Sequence, residues 1–196
     1  MLDYIAGLVV GNGHLYRYAK EGKYYVRISD RNREFLEKVR KMLGELGVRS
    51  HIYKITSKNC YVLEFTRKEL FYEISKRMKQ RLRRPTIDFV RGIVDAEGSL
   101  QVPRQGSVRI TISNTSLEVL ESVNSVLKKV GFSSKIVKYG KPRPGEKQRY
   151  RIVIYGRRNV EAFIEKIKPL HPKFADVFTM PPIRRRESGN ERDPRP

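Results

Sequence analysis

The chain is short of several things, and each shortage narrows what it does. Its 196 residues contain one cysteine, Cys60, which excludes an internal disulfide and a cysteine-based zinc site. His14, His51 and His171 stand at no ligand-like spacing. No apolar run approaches the roughly 18 residues that span a bilayer, and no basic amphipathic helix stands apart from the rest, so no membrane partner is expected. The start, Met1-Leu2-Asp3-Tyr4, lacks the basic residues and cleavage site of a signal peptide. A reducing, cytoplasmic setting is the expectation. Acidic side chains are scarce: 21 Asp and Glu stand against 42 Lys and Arg, a formal net charge of +21. That balance says little about fold but points to polyanionic partners, DNA or RNA. A basic structural RNA-binding protein is the plainer alternative.

What the chain does have, it has twice. Ile5-Ala6-Gly7-Leu8-Val9-Val10-Gly11-Asn12-Gly13 matches Val90-Arg91-Gly92-Ile93-Val94-Asp95-Ala96-Glu97-Gly98. Each is an apolar helical run with a small residue in its middle, closed by a carboxylate or amide and then glycine. The same series of elements follows each copy. Helix 2–11 leads into a hairpin, Leu15 to Lys20 and Lys23 to Ser29, turning at Glu21-Gly22. Asn32 caps a helix carrying Phe35, Leu36, Val39, Met42, Leu43 and Leu46 at helical spacing, stopped by Gly47. A second strand pair, 49–56 and 60–66, precedes helix 67–80. After Arg81-Leu82-Arg83-Arg84-Pro85 the cycle restarts. The expected elements are helix 86–97, strands 99–104 and 107–113, helix 116–130, strands 133–139 and 149–155, and helix 157–168. This is an α+β chain of tandem αββαββα repeats with pseudo-two-fold symmetry. The expected organisation is a first repeat over 1–82, a linker at 83–85, a second repeat over 86–180 and a basic tail over 181–196. The tail is either disordered or ordered on a phosphate backbone.

The motif has a physical logic of its own. Glycine within a helix costs about 1 kcal/mol, so Gly7 and Gly92 need a packing reason. Two motif helices in close contact supply one. Their C-terminal ends then converge, and unsatisfied carbonyls make such a place negative. A carboxylate at each end makes it attractive to a divalent cation, and oxygen ligands suit Mg²⁺.

The motif, its duplication and the αββαββα series resemble the LAGLIDADG homing endonucleases of the monomeric, two-repeat kind found in archaeal introns. The resemblance covers residues 1 to about 180. It implies paired antiparallel four-stranded sheets forming a saddle over double-stranded DNA. It implies Mg²⁺, for which Ca²⁺ or Mn²⁺ can substitute, and one phosphodiester cut per strand across the minor groove. Carried over by position, Glu97 is a metal ligand, assisted by the carbonyls of Gly11 and Ala96. A nucleoid-associated, prokaryotic and archaeal setting and a free-standing intron product go with it. The departure is Asn12, where the family has Asp: an amide keeps the shape but loses the charge. Asn12 is either a deliberate neutralisation or a natural loss, as in a nickase or an RNA-splicing maturase with intron RNA as partner. The chain is expected to bind its site and to make double-strand breaks poorly.

The strand-to-helix corners, Ser29-Asp30-Arg31-Asn32 and Ser113-Asn114-Thr115-Ser116, occupy equivalent places. The resemblance implies a water-positioning amide and a basic group there. Asp30, Arg31 and Asn114 are the candidates, although Asp30 and Asn114 serve equally as helix caps. Thr115 leaves the second half without a counterpart to Arg31.

Strand alternation sorts the two sheet faces. With Val26, Ile28, Val108, Ile110 and Ile112 inward, Tyr25, Arg27, Ser29, Arg109, Thr111 and Ser113 face outward. Tyr16, Tyr18, Lys20, Gln101 and Arg104 join them from the first strands. From the later strands come His51, Tyr53, Glu64, Lys135, Arg149 and Arg151. Two-stranded ribbons fit the major groove, where Arg reads guanine, Gln reads adenine and Glu accepts from cytosine. The remaining basic residues are assigned to phosphates, over a long asymmetric site of roughly 15–20 base pairs, near two helical turns.

Overall fold

The structure, a computed structural model, describes residues 1–103 and 107–177. Its first half runs α1 (Leu2–Asn12), β1 (Gly13–Tyr18), β2 (Lys23–Asp30), α2 (Arg33–Glu45), β3 (His51–Ile55), β4 (Cys60–Thr66) and α3 (Lys68–Arg83). The second half repeats it: α4 (Ile87–Glu97), β5 (Gly98–Gln101), β6 (Arg109–Asn114), α5 (Leu117–Lys129), β7 (Ile136–Tyr139), β8 (Arg149–Tyr155) and α6 (Arg157–Ile167). The strands form two antiparallel four-stranded sheets of matching order, β1-β2-β4-β3 and β5-β6-β8-β7. A 3-10 segment, Pro172–Val177, follows α6 and has no counterpart in the first half.

The local signals that start these helices are side-chain caps. Asn32 Oδ1 accepts from Phe35 N at 2.8 Å, Thr86 Oγ1 from Phe89 N at 3.3 Å and Ser116 Oγ from Val119 N at 3.4 Å. Each satisfies one of the free amides of a first helical turn. Gly47 and Gly131 lie at φ 68° and 91° just beyond α2 and α5, the left-handed stop that glycine takes without strain.

The strand register puts one face of each sheet on helices. Val26, Ile28, Leu63 and Phe65 in the first sheet, and Ile110, Ile112, Ile152 and Ile154 in the second, are buried. They join α1, α2, α4, α5 and α6 in one core.

The centre of that core is the contact between α1 and α4. Tyr4, Ile5, Ala6, Gly7, Leu8 and Val9 are all buried, as are Phe89, Val90, Gly92, Ile93, Val94 and Asp95. A Cβ on Gly7 would run into the Phe89 carbonyl oxygen and stand 3.1 Å from Gly92 Cα. A Cβ on Gly92 would strike the Tyr4 carbonyl oxygen and come within 2.8 Å of Leu8 N. The obstacles are backbone on both sides, so no rotamer change relieves them.

The connection between the halves differs from the expected linker at 83–85. Helix α3 continues through Arg83, and Arg84 is the first residue outside it, where the following Pro85 disfavours helix. Asp3 draws this region onto α1. Its carboxylate meets Arg77 Nη1 and Arg81 Nε at 2.8 Å each and accepts from Thr86 Oγ1 at 3.0 Å. The second-half strands are also shorter than their apolar alternation suggested: β5 ends at Gln101 and β7 begins at Ile136.

Gly92→Ala is expected to destabilise the chain by about 3 kcal/mol, because overpacking here has no soft neighbour to displace. Thermal or urea denaturation measures it. Gly44→Ala, at a helical position with nothing within 4 Å of the added carbon, is the control expected to be neutral or slightly stabilising.

Candidate functional site

Because α1 and α4 touch along their middles, their last residues come together. Asn12 Nδ2 donates to the Ala96 carbonyl oxygen at 3.0 Å, bridging the two helix ends. A Cβ on Gly11 would strike the Ala96 methyl and lie 3.2 Å from Glu97 Cγ, so Gly11 and Glu97 are neighbours across the interface. Glu97 Oε1 accepts from Asn114 Nδ2 at 2.9 Å. Asn114 is itself held, because its Oδ1 accepts from Ser116 N at 2.8 Å. Asp30 makes the equivalent turn in the first half, its Oδ1 accepting from Asn32 N at 2.7 Å. In both halves this is an Asx turn, and the cap proper lies two residues on, at Asn32 or Ser116.

Two clefts open here, one per half. Gly11, Glu97, Ser113, Asn114, Thr115, Val10 and Arg149 line one of about 430 Å³. The other, of about 580 Å³, is lined by Asn12, Asp30, Arg31 and Cys60 among others, and by His171 and Lys173.

The last two were not among the sequence-derived candidates. His171 Nε2 lies 3.3 Å from Asp30 Oδ1, and Lys173 N donates to His171 Nδ1 at 3.0 Å. That second bond assigns the ring proton to Nε2, which donates to Asp30. Lys173 Nζ donates to the Asp95 carbonyl oxygen at 2.6 Å. The Asp95 side chain, fully buried, anchors the segment. It accepts from Tyr4 Oη at 2.7 Å, from Leu170 N at 2.9 Å and from His171 N at 3.1 Å. The first motif has Val10 at this place, which offers no such anchor. The available signal was an ionisable residue inside an apolar helix, Asp95, with no equivalent in the other copy.

The electrostatics follow from this arrangement. Burial pushes Glu97 up to about 7, against the opposing pull of Lys173 and Asn114. Burial alone would raise Asp30, but the bonds from His171 and Asn32 N hold it below the ordinary carboxylate range. Burial lowers Lys173, and Asp30, Asp95 and Glu97 counter it.

The sheet faces opposite the helices carry most of the expected outward set. One cross-strand row is His14, Arg27, Glu64 and His51; a second is Tyr16, Tyr25 and Thr66; a third is Ser29, Val62 and Tyr53. Tyr18 pairs with Lys23 beyond them. In the second sheet the rows are Gln101, Arg109 and Tyr155, then Ser99, Thr111 and Val153, then Ser113, Arg151 and Val137, with Arg149 opposite Tyr139. His14, Ser99, Tyr139 and Tyr155 belong to this face and were not singled out from the sequence. Lys20 departs from expectation: it lies in the 3-10 turn Ala19–Glu21 rather than on a strand. Lys135 precedes β7 and is exposed. Arg104 lies outside the described residues, as do 178–196, which hold the expected tail. Two of the residues assigned to base edges are already paired with arginines. Arg27 Nε is bonded to Glu64 Oε2, which also accepts from Tyr53 Oη at 3.3 Å, and Arg109 Nε donates to Gln101 Oε1 at 2.6 Å. Arg151 lies 4.4 Å from the centre of the Tyr139 ring.

A LAGLIDADG-like domain matches residues 1–79 and again residues 85–168. The chain belongs to the LAGLIDADG family. It is 30% identical over 141 residues to an uncharacterised protein of Methanocaldococcus jannaschii, across 69% of this chain and 50% of that one. It is 30% identical over 153 residues to the homing endonuclease I-ApeI of Aeropyrum pernix, across 66% of each chain. It thus spans about half of the first relative and just under two thirds of the second. Among solved structures, I-DmoI in complex with DNA and Ca superposes with a TM-score of 0.67 at 24% identity, over 91% of this chain and 97% of that one. Among the described residues no helix is long and apolar enough to cross a membrane.

LAGLIDADG motifs imply a divalent ion at each acidic helix end, and the two ends here differ in their fitness for one. The second half fits: a half-buried carboxylate, oriented by an amide and facing a polar cleft shared with Gly11, is a hard-cation donor set. The first does not. Asn12 is neutral, its amide nitrogen is directed at the Ala96 carbonyl, and Lys173 lines the same cleft. Among the described residues no three His, Cys, Asp or Glu side chains cluster closely enough to hold a metal alone, so any ion at Glu97 needs further oxygens from backbone, water or substrate.

Glu97 should make stability depend on pH in a defined sense. Its folded-state pKa, raised from 4.5 to about 7, means that the ionised form opposes folding. The penalty is absent below 4.5, grows through the window up to 7 and is complete above it. Metal-free Glu97→Gln is expected to match the parent near pH 4 and to exceed its stability by about 2 kcal/mol at pH 8, allowing for partial solvent access. Thermal denaturation across that range reads the difference; equal stability at both ends would refute it.

Proposed function

We propose that this chain is a site-specific double-stranded DNA endonuclease with one competent metal site, at Glu97 in its second half, and a first half that binds DNA without cutting it well. The observation that carries this reading is the bond from Asn12 Nδ2 to the Ala96 carbonyl oxygen. A carboxylate at position 12 would face that carbonyl with like charge and would need a cation between them. The amide replaces the cation with a hydrogen bond. Glu97, seen across the same helix pair, has no such substitute and keeps its carboxylate toward a polar cleft.

In this reading Glu97 and the Gly11 carbonyl hold the ion, Mg²⁺ by preference with Mn²⁺ or Ca²⁺ able to occupy the place. A bound ion lowers the pKa of a water and stabilises charge on the leaving oxygen of a phosphodiester. Asn114 holds the Glu97 carboxylate in one orientation. Arg149, on the same cleft, is placed to pair with a phosphate oxygen. Arg31 lines the first half's cleft, where Asp30, tied to His171, serves the local structure rather than proton transfer. The outward rows read base edges, after Arg27 and Arg109 have exchanged Glu64 and Gln101 for guanine. Those existing pairs fix the arginine side chains and lower the entropy lost on binding. The resemblance of I-DmoI with DNA, and of I-ApeI by name, supports DNA rather than intron RNA as the partner of this face.

The experiment is a selection of bound duplexes from a randomised library, followed by cleavage of the selected site in a supercoiled plasmid with Mg²⁺. Nicked circles are expected to accumulate, with little linear product, and Glu97→Gln should abolish the nick while leaving binding. Linearisation at a rate matching the nick would overturn the one-site reading. Binding should also weaken steeply with salt, since each phosphate contact adds about one unit to the log–log slope.

A further inference from the structure

The segment after α6 enters the first half's cleft, and the motif logic offers no account of it. Pro172–Val177 is a 3-10 segment absent from the first repeat. It brings one ammonium group, Lys173, to the place between the two helix ends. Three separate contacts put it there. The Asp95 carboxylate takes the backbone amides of Leu170 and His171. His171 Nδ1 accepts a hydrogen bond from the Lys173 amide, and Nε2–H donates one to Asp30. The Lys173 ammonium group donates at 2.6 Å to the carbonyl of Asp95, the residue before the Ala96 carbonyl that Asn12 covers.

We propose that Lys173 is the resident cation of the first half-site, and that it excludes a divalent ion from that half; this rests on the family reading of the two helix ends as metal positions. The charges argue for it. On the first-half cleft, Asp30 is the carboxylate and Lys173 an ammonium, so the pair has no net negative charge to offer a dication, while Arg31 on the same cleft adds a positive one. A dication placed beside that ammonium group is repelled by it. Donors are also taken: the Asp95 carbonyl by Lys173, the Ala96 carbonyl by Asn12. An ammonium group can pair with a phosphate oxygen, but it does not activate a water as a metal ion does. The first half is therefore suited to hold a strand and not to hydrolyse it. Asn12 is then one of two matched changes, and restoring its carboxylate alone does not restore the site.

Ion counting tests this without DNA, so it stands or falls separately from cleavage. Tb³⁺ is a hard, oxygen-seeking probe, and its emission is sensitised by tyrosine, of which the chain has 11 and no tryptophan to interfere. Sites are counted by titration at neutral pH, and the signal remaining in Glu97→Gln is subtracted as surface binding. One Tb³⁺ per chain is expected for the parent. One is also expected for Asn12→Asp, and two for Asn12→Asp with Lys173→Met. Two ions in the parent, a second ion in Asn12→Asp alone, or no second ion in the double variant would each overturn the proposal. Thermal unfolding checks that each variant is folded; Lys173→Gln replaces the methionine should that variant unfold. Failure to cut any DNA would defeat the endonuclease reading and leave the count intact.

Discussion

Everything in this molecule depends on two backbones touching. Gly7 lies against Phe89 and Gly92, and the absence of side chains there lets α1 and α4 approach closer than ordinary helices, whose axes are kept about 8–10 Å apart by the residues between them. That closeness sets the pseudo-two-fold axis, sends β1 and β5 out from adjacent points, and turns the two sheets the same way. It also brings Asn12 and Ala96 within hydrogen-bonding distance although they are 84 positions apart. The chemistry at the helix ends is a consequence of packing in the helix middles.

Convergent helix ends carry a difficulty of their own. The last carbonyls of both helices point into one small region, and their partial negative charges add. Something positive or hydrogen-donating must answer them. The chain does so with Asn12 toward Ala96 and Lys173 toward Asp95. Glu97 is the exception, a third negative group placed where two already are, and burial accordingly raises its pKa to about 7. A half-buried carboxylate that no cation fully answers within the chain is a functional cost, of the kind folded proteins carry at sites of binding and chemistry.

Much of this was legible in the sequence because the features concerned are local. A capping asparagine, a glycine stop and a period of two in a strand are each decided within a few residues, and duplication let each half check the other. The outward rows of the sheets were legible for the same reason, since alternation survives whatever the sheet packs against. What was not legible is tertiary. The pairing of Arg27 with Glu64 and of Gln101 with Arg109 needs strand register. His171 and Lys173 lie beyond the last repeated element, where no second copy exists to compare. Their route into the first half's cleft is set by Asp95, 75 residues from the Leu170 amide it holds. Helix α3 ran past the expected break because Asp3, far away in sequence, ion-pairs with Arg77 and Arg81.

The two halves differ by an exchange rather than a loss. In the second, the helix end carries the carboxylate, Glu97, and the strand end the amide, Asn114. In the first, the helix end carries the amide, Asn12, and the strand end the carboxylate, Asp30. Each half thus keeps one acid and one amide, but the acid has moved. At the helix end an acid faces the converged carbonyls, whose partial charges have the same sign as its own. At the strand end it faces His171 and is satisfied by the protein itself. With its carboxylate on β2 rather than on α1, the first half has its negative charge answered by the protein's own groups. Asn12 alone would read as a damaged motif. Asn12 with Asp30, His171 and Lys173 is a different and self-consistent arrangement of the same charges.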